Sequence, residues 1–284
     1  MSLAIASSPD ARPREPLGSR RARDSGEHRH PSEAREPRRA PSGPVLFARY
    51  AYSPNRLGLC GPEDAEALFG EATGGGDDRQ LRHLAQGFEG AYPYLQLIAA
   101  ANGIEDPLDL RVVDAYWLGS PLLDRVTPGA FADSLRTRFR PRTGRVAWRW
   151  LEAAAPAGGR PVHAFHVLDV FPKVGLMRGE QADRVIETMD ACRVRWGRVV
   201  ERIDDQLIVN VVPLRLAGGE LELGPAEVRR VTAWRGGTGF VGRVDPGDVV
   251  SVHWDWACEV LGDDALRRLI AWTRAQLVVA NQSM

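Results

Sequence analysis

Val194-Arg195-Trp196-Gly197-Arg198-Val199-Val200-Glu201-Arg202 is followed by Asp204-Asp205 and then by Gln206-Leu207-Ile208-Val209-Asn210-Val211-Val212-Pro213-Leu214. Two runs rich in β-branched residues, separated by a short acidic turn, predict a pair of neighbouring strands. Downstream, Glu220–Leu223, Glu227–Trp234 and Val249–Trp254 have the same texture. Gly218-Gly219, Gly236-Gly237 and Pro246-Gly247-Asp248 punctuate them. Short strands at regular spacing, divided by Gly and Pro turns, predict a small barrel. Asp263-Asp264 then offers a helix start, and Leu266, Leu269, Ile270, Thr273 and Leu277 fall on one helical face.

Upstream the period changes. Ala65, Leu68 and Phe69 form a helical stripe that ends at Gly74-Gly75-Gly76. Further amphipathic segments fit residues near Gln80–Phe88, Tyr92–Asn102, Leu110–Gly119, Thr127–Phe139 and Val146–Ala154, each closed by Gly, Asn or Pro. Ser53-Pro54-Asn55 reads as a turn. His163-Ala164-Phe165-His166-Val167-Leu168-Asp169-Val170-Phe171 reads as β-like, and Glu180–Asp190 as a short helix. Residues 1–43 carry six prolines and charges of both signs but almost no large apolar side chain after Leu17, which predicts a disordered tail. His28 and His30 in this tail read as solvated residues. The fold class is therefore α+β, with a mostly helical domain over 44–189 followed by a small β-barrel and C-terminal helix over 190–284.

Composition excludes several function classes. The 284 residues carry 37 basic and 37 acidic side chains, a formal net charge of zero. A general nucleic-acid or anionic-membrane binder would show a basic excess. No stretch reaches the roughly 20 apolar residues of a membrane helix, and Met1–Ala6 lacks the charged start of a secretory signal. The cysteines Cys60, Cys192 and Cys258 are odd in number and far apart, against a disulfide framework. These features predict a reduced, cytoplasmic protein without nucleic-acid or membrane partners.

Chemistry concentrates in the C-terminal part. Cys192 precedes Gly197, which leads into a strand, and Pro246-Gly247-Asp248 turns into a strand ending at Val252-His253. With the strand pattern and trailing helix, residues 190–280 resemble the HypC/HupF family of nickel–iron hydrogenase maturation chaperones. That family's signature is a cysteine, then proline-glycine and a strand, and later a proline-glycine-aspartate turn into a strand ending in valine-histidine. Two positions depart from it: Cys192 is internal, after Asp190-Ala191, and Trp196 replaces the proline before the glycine.

The resemblance implies an OB-like barrel and a binding protein rather than an enzyme. It implies that Cys192 ligates a transiently carried iron fragment, Fe(CN)2CO, with His253 as its neighbour. The implied partner is a hydrogenase large-subunit precursor or a maturation scaffold protein. A soft thiolate suits iron with strong-field ligands, and an imidazole nearby can orient the fragment. A wider set of Cys60, His166, Cys192 and His253, drawn from both halves, would also suit a soft metal. If His163 and His166 lie on a strand, they point to opposite faces and do not share an ion. Trp196, Trp254 and Trp256 lie beside the proposed site and fit a partner surface.

Two other classes compete. A thiol enzyme would use Cys192 or Cys60 as nucleophile and His253 or His166 as base. It needs a low-pKa thiol within about 3–4 Å of an imidazole, and no nucleophile signature accompanies these cysteines. A plain OB-like binding module for nucleic acid or oligosaccharide would interleave basic and aromatic residues on its strands, a pattern missing here. Gly74-Gly75-Gly76 lacks the Gly-Lys-Ser/Thr ending of a phosphate loop.

Overall fold

Helix α1 (Gly43–Arg56) begins at Ser42, whose Oγ accepts a hydrogen bond from the Val45 N–H at 3.4 Å, and carries Pro44 in its first turn. A computed structural model describes it together with the rest of residues 40–75, 78–173 and 182–282. The expected tail, with His28 and His30, lies outside the described residues up to residue 39. Next come α2 (Ala65–Gly74), α3 (Asp78–Gln86), α4 (Tyr92–Ala101), α5 (Leu110–Leu118), α6 (Pro128–Phe139) and α7 (Arg145–Ala154). All six fall where apolar periodicity and the Gly, Asn and Pro stops put them. Two starts have side-chain caps: the Asp109 carboxylate accepts from the Arg111 N–H, and Thr127 Oγ1 accepts from the Ala130 N–H.

Two local expectations are corrected. Ser53-Pro54-Asn55 is not a separate turn but the last turn of α1. Residues 163–173 are not a strand. They are helical throughout, as α8 (His163–Phe165), a π-helical stretch (His166–Val170) and α9 (Phe171–Lys173). A continuous apolar run has no period that separates a buried helix from a buried strand, and this one is surrounded by α5, α7 and the C-terminal helix. The widened turn sits just before Pro172, where Phe171 N–H bonds back to the His166 carbonyl. Proline has no N–H to continue the regular ladder, and π turns occur at such interruptions.

Helix α10 (Ala182–Cys192) leads directly into the sheet region, with β1 (Arg195–Ile203), β2 (Gln206–Val211), β3 (Leu214–Ala217), β4 (Glu220–Leu223), β5 (Glu227–Thr232), β6 (Val249–His253) and β7 (Trp256–Val260). Strands β1-β2-β5-β7-β6 close into a barrel, with β6 pairing back onto β1; β3 and β4 form a separate hairpin. Neighbours are antiparallel except β5 and β7, which are parallel at Thr232↔Trp256. This is the small OB-like barrel expected, with α11 (Asp263–Asn281) as its C-terminal helix. Pro213 divides the second expected strand into β2 and β3, because proline cannot donate to a ladder. Strand β7 was not foreseen: Trp256-Ala257-Cys258-Glu259-Val260 follows β6 after only two residues.

Two signature glycines have physical reasons. A Cβ at Gly197 would come within 2.9 Å of Val211 Cγ1 inside the barrel. Gly247 has φ +94 as the third residue of the Asp245–Asp248 turn, with Pro246 before it and Asp248 N–H bonding the Asp245 carbonyl.

The barrel interior is filled by Val199, Leu207, Val209, Val211, Val231, Val250 and Val252 among others. Side chains alternate along a strand, so Ser251 and His253 leave the barrel on its outer wall. Helix α1 covers that wall: Tyr50 Oη lies 3.0 Å from Ser251 Oγ and donates to Glu259 Oε2 at 2.7 Å. The larger core runs across the expected 189/190 boundary, uniting Phe47, Tyr94, Tyr116 and Phe165 with Met189, Val194, Leu214 and Leu277. Residues 40–284 form one compact unit. Among the described residues, no helix is long and apolar enough to cross a membrane.

Candidate metal centre between the barrel wall and the helices

Strand register brings Cys192 to His253. Arg195 pairs with Val252 in the antiparallel β1–β6 ladder. Running back from Arg195 therefore meets the chain running forward from Val252. The contact is direct: Trp254 N–H donates to the Ala191 carbonyl at 2.7 Å, and the Arg195 guanidinium donates to the Trp254 carbonyl. Helix α8 adds a third residue. The ligand atoms of His163, Cys192 and His253 all lie within 4.8 Å of one another. A metal held at about 2.0–2.3 Å by such donors separates them by roughly 3.3–3.8 Å, so closure by about an ångström completes the site.

The tautomer of His253 follows from a proline in α1. Pro54 has no N–H, so the Tyr50 carbonyl, four residues back, loses its helical donor. It accepts instead from His253 Nδ1, 2.6 Å away. That bond fixes the proton on Nδ1 and leaves Nε2 with a lone pair. Nε2 is buried without a hydrogen-bond partner, and the residue is 1% exposed. A backbone carbonyl orienting an imidazole whose other nitrogen is free is the outer-shell arrangement of metal-ligating histidines.

His163 is held differently. Its Nε2 lies 2.8 Å from the Cys192 carbonyl oxygen, which can only accept, so Nε2 carries the proton. Nδ1, 3.2 Å from Tyr116 Oη, accepts from that hydroxyl. Were His163 to hold a metal through Nε2, it would give up the carbonyl bond and carry its proton on Nδ1 instead. Tyr116 would then accept from Nδ1 rather than donate to it.

Burial sets the charge states. It pulls His163 down to about 4, with the bond to the Cys192 carbonyl opposing, and pulls His253 well below the ordinary histidine value, helped by His163. It pushes the Cys192 thiol up to about 12, with Cys60 adding to the rise and the Trp254 indole N–H opposing it. Without a cation the group is thus two neutral imidazoles and a thiol. Trp117 walls the site, its ring centroid 4.6 Å from His163 and 5.5 Å from His253. Cys192 as a residue is half-buried, although its thiol lies inside the site.

The donor set suits a borderline or soft transition metal, and three protein ligands leave one tetrahedral position open. Cys192 and His253, paired at the sequence level, are together; Cys60 and His166 are not in the group of three. Burial raises the Cys60 thiol to about 11. His166 faces Tyr94 Oη at 3.3 Å. His163 is absent from the set that the sequence suggests, because a strand over 163–171 turns it to the face opposite His166. On a helix, three residues' separation puts His163 and His166 on neighbouring positions of one face, but only His163 looks onto Cys192. The other missed contributor is the Tyr50 carbonyl, signalled by Pro54 inside an otherwise helical run. Trp256 is not part of a partner surface; it packs with Tyr52, Phe69 and Phe240. Cys258 is fully buried, as small core cysteines are.

These histidines make stability pH-dependent. Above pH about 6.5 they are neutral in both folded and unfolded chains. As pH falls, the unfolded chain takes up protons that folded His163 refuses until about 4. Stability present above about 6.5 is therefore lost across that window, on the order of 3 kcal/mol from His163 alone. Glu259, raised by burial, works in the opposite direction. Urea midpoints at pH 7 and pH 4.5 should differ more for the wild type than for His163→Gln. Equal differences would contradict the assignment.

No curated protein and no solved structure matches the chain. A family model does match, over residues 39–284, and by that match the chain belongs to DUF6390, a family of unknown function.

Proposed function

We propose that the protein is a metal-centre assembly factor. In this reading it holds a soft transition-metal fragment at Cys192, His253 and His163 and passes it to a client protein, without catalysing a reaction of its own. The HypC/HupF resemblance of residues 190–280 supplies the cargo and client: iron carrying cyanide and carbon monoxide, and a hydrogenase large-subunit precursor or maturation scaffold. One observation carries the reading. The cysteine and histidine that the resemblance pairs lie within 4.8 Å of each other, and the histidine's Nε2 is buried without a hydrogen-bond partner.

The chain's own groups define what holding cargo requires. The Cys192 thiol must give up its proton, whereas the two imidazoles are already neutral. Three protein ligands leave one coordination position for a fragment that must leave again. The thiol-enzyme alternative is weaker, because a thiol pushed up to about 12 is not an activated nucleophile.

In the native host, Cys192→Ala should abolish maturation of the cognate hydrogenase. The tagged wild type should co-purify with the large-subunit precursor or scaffold and show infrared cyanide and carbonyl stretches. Normal hydrogenase activity in the Cys192→Ala strain would overturn the proposal.

A further inference from the structure

We propose that Trp254 is a positioning residue whose indole N–H donates to the Cys192 sulfur once that sulfur is a metal-bound thiolate. The inference rests on Cys192 being a ligand. Three observations carry it. Trp254 is one of two described non-glycine residues with positive φ, at +56, a conformation that costs a bulky side chain energy and persists where surroundings enforce it. The enforcement comes from the chain around Cys192. The Ala191 carbonyl accepts the Trp254 N–H at 2.7 Å, and Arg195 donates to the Trp254 carbonyl. Lastly, Trp254 Nε1 is buried and makes no well-formed hydrogen bond, yet it lies close enough to the Cys192 thiol to oppose the rise that burial causes there.

A strained residue with an unsatisfied donor is a poor arrangement for a protein that never changes state. It becomes a favourable one when a strong acceptor forms beside it. A thiol sulfur is a weak acceptor, whereas a thiolate is a strong one. Deprotonation of Cys192 on metal binding creates such an acceptor next to the residues that grip Trp254. The hydrogen bond stabilises the thiolate relative to the thiol, which favours the metal-bound form, and lowers the energy of the sulfur lone pairs, which raises the energy of sulfur-to-metal charge transfer.

Co(II) chloride titration under anaerobic conditions tests this, read by the sulfur-to-cobalt charge-transfer band and by affinity. Trp254→Phe keeps the ring but loses the N–H; Trp254→Gly loses both and accepts positive φ without strain, so at least one variant folds. Both should move the band to lower energy and weaken binding about 10- to 100-fold, the usual cost of losing an outer-shell partner. Wild-type affinity with an unshifted band in a folded variant overturns this inference alone. A wild-type protein without any sulfur-to-cobalt band overturns it together with the metal reading.

Discussion

Cys192→Ser and His253→Ala should each weaken zinc or cobalt binding by roughly 100- to 1000-fold. Binding free energies of about 10–16 kcal/mol for four-ligand zinc sites correspond to some 2.5–4 kcal/mol per ligand. His163→Gln should cost less, because His163 must surrender its bond to the Cys192 carbonyl before it can ligate. Cys60→Ser should cost little, since Cys60 is outside the group of three. The pH dependence follows from the charge states. Burial holds His163 at about 4 and Cys192 at about 12, so between pH 6 and 9 binding releases one proton, from the thiol. The logarithm of affinity then rises by about one per pH unit. Calorimetry in buffers of different ionisation enthalpy counts that proton. Two or more protons per metal, or a Cys60→Ser loss as large as that of Cys192→Ser, would contradict the assignment.

Asp190→Ala should destabilise the fold by about 3–5 kcal/mol, the range for removing one partner of a buried ion pair. Asp190 is buried at the end of α10 and meets two buried guanidiniums: Arg193 Nη2 at 2.8 Å and Arg195 Nη1 at 3.6 Å. Its Oδ1 also accepts from the Leu214 N–H at 2.7 Å. Arg193, pulled down to about 10 by burial, bridges onward to the Val212 carbonyl. One carboxylate thus ties α10 to β1 and to the β2–β3 junction, two residues before Cys192. Without it both arginines lose their buried counter-charge, and Leu214 N–H loses its acceptor. Asp190→Asn keeps an acceptor and should lose less. Urea denaturation with an unchanged m-value would read the shift directly. An Asp190→Ala midpoint equal to that of the wild type would show that α10 is fixed by other contacts.

Much of this architecture was legible in the sequence, for identifiable reasons. The helices from α2 to α7 have clear apolar stripes and Gly, Asn or Pro stops, and the strands from β1 to β6 have β-branched runs between glycine turns. Those signals are local, and they survived folding. His163–Phe171 misleads because it is buried on nearly every side, so no solvated polar face marks a helical period. Strand β7 failed because Trp256-Ala257-Cys258-Glu259-Val260 is short and follows β6 through a two-residue turn that only a positive-φ Trp254 makes possible.

The site divided along the same line. Cys192 and His253 are paired in the sequence by the HypC/HupF resemblance, and the antiparallel β1–β6 register is what brings them together. His163 and the Tyr50 carbonyl were hidden because they arrive from helices that contact the barrel wall only in three dimensions. No sequence pattern encodes that docking, although Pro54 leaves a trace of it by freeing one carbonyl.

X-ray absorption at the cobalt edge of the Co(II)-loaded full-length protein tests the central claim most directly. One sulfur at about 2.3 Å and two imidazole nitrogens near 2.0–2.1 Å are expected, with the remaining position filled by an exchangeable light atom. A shell of nitrogen and oxygen alone, unchanged in Cys192→Ser, would contradict the account.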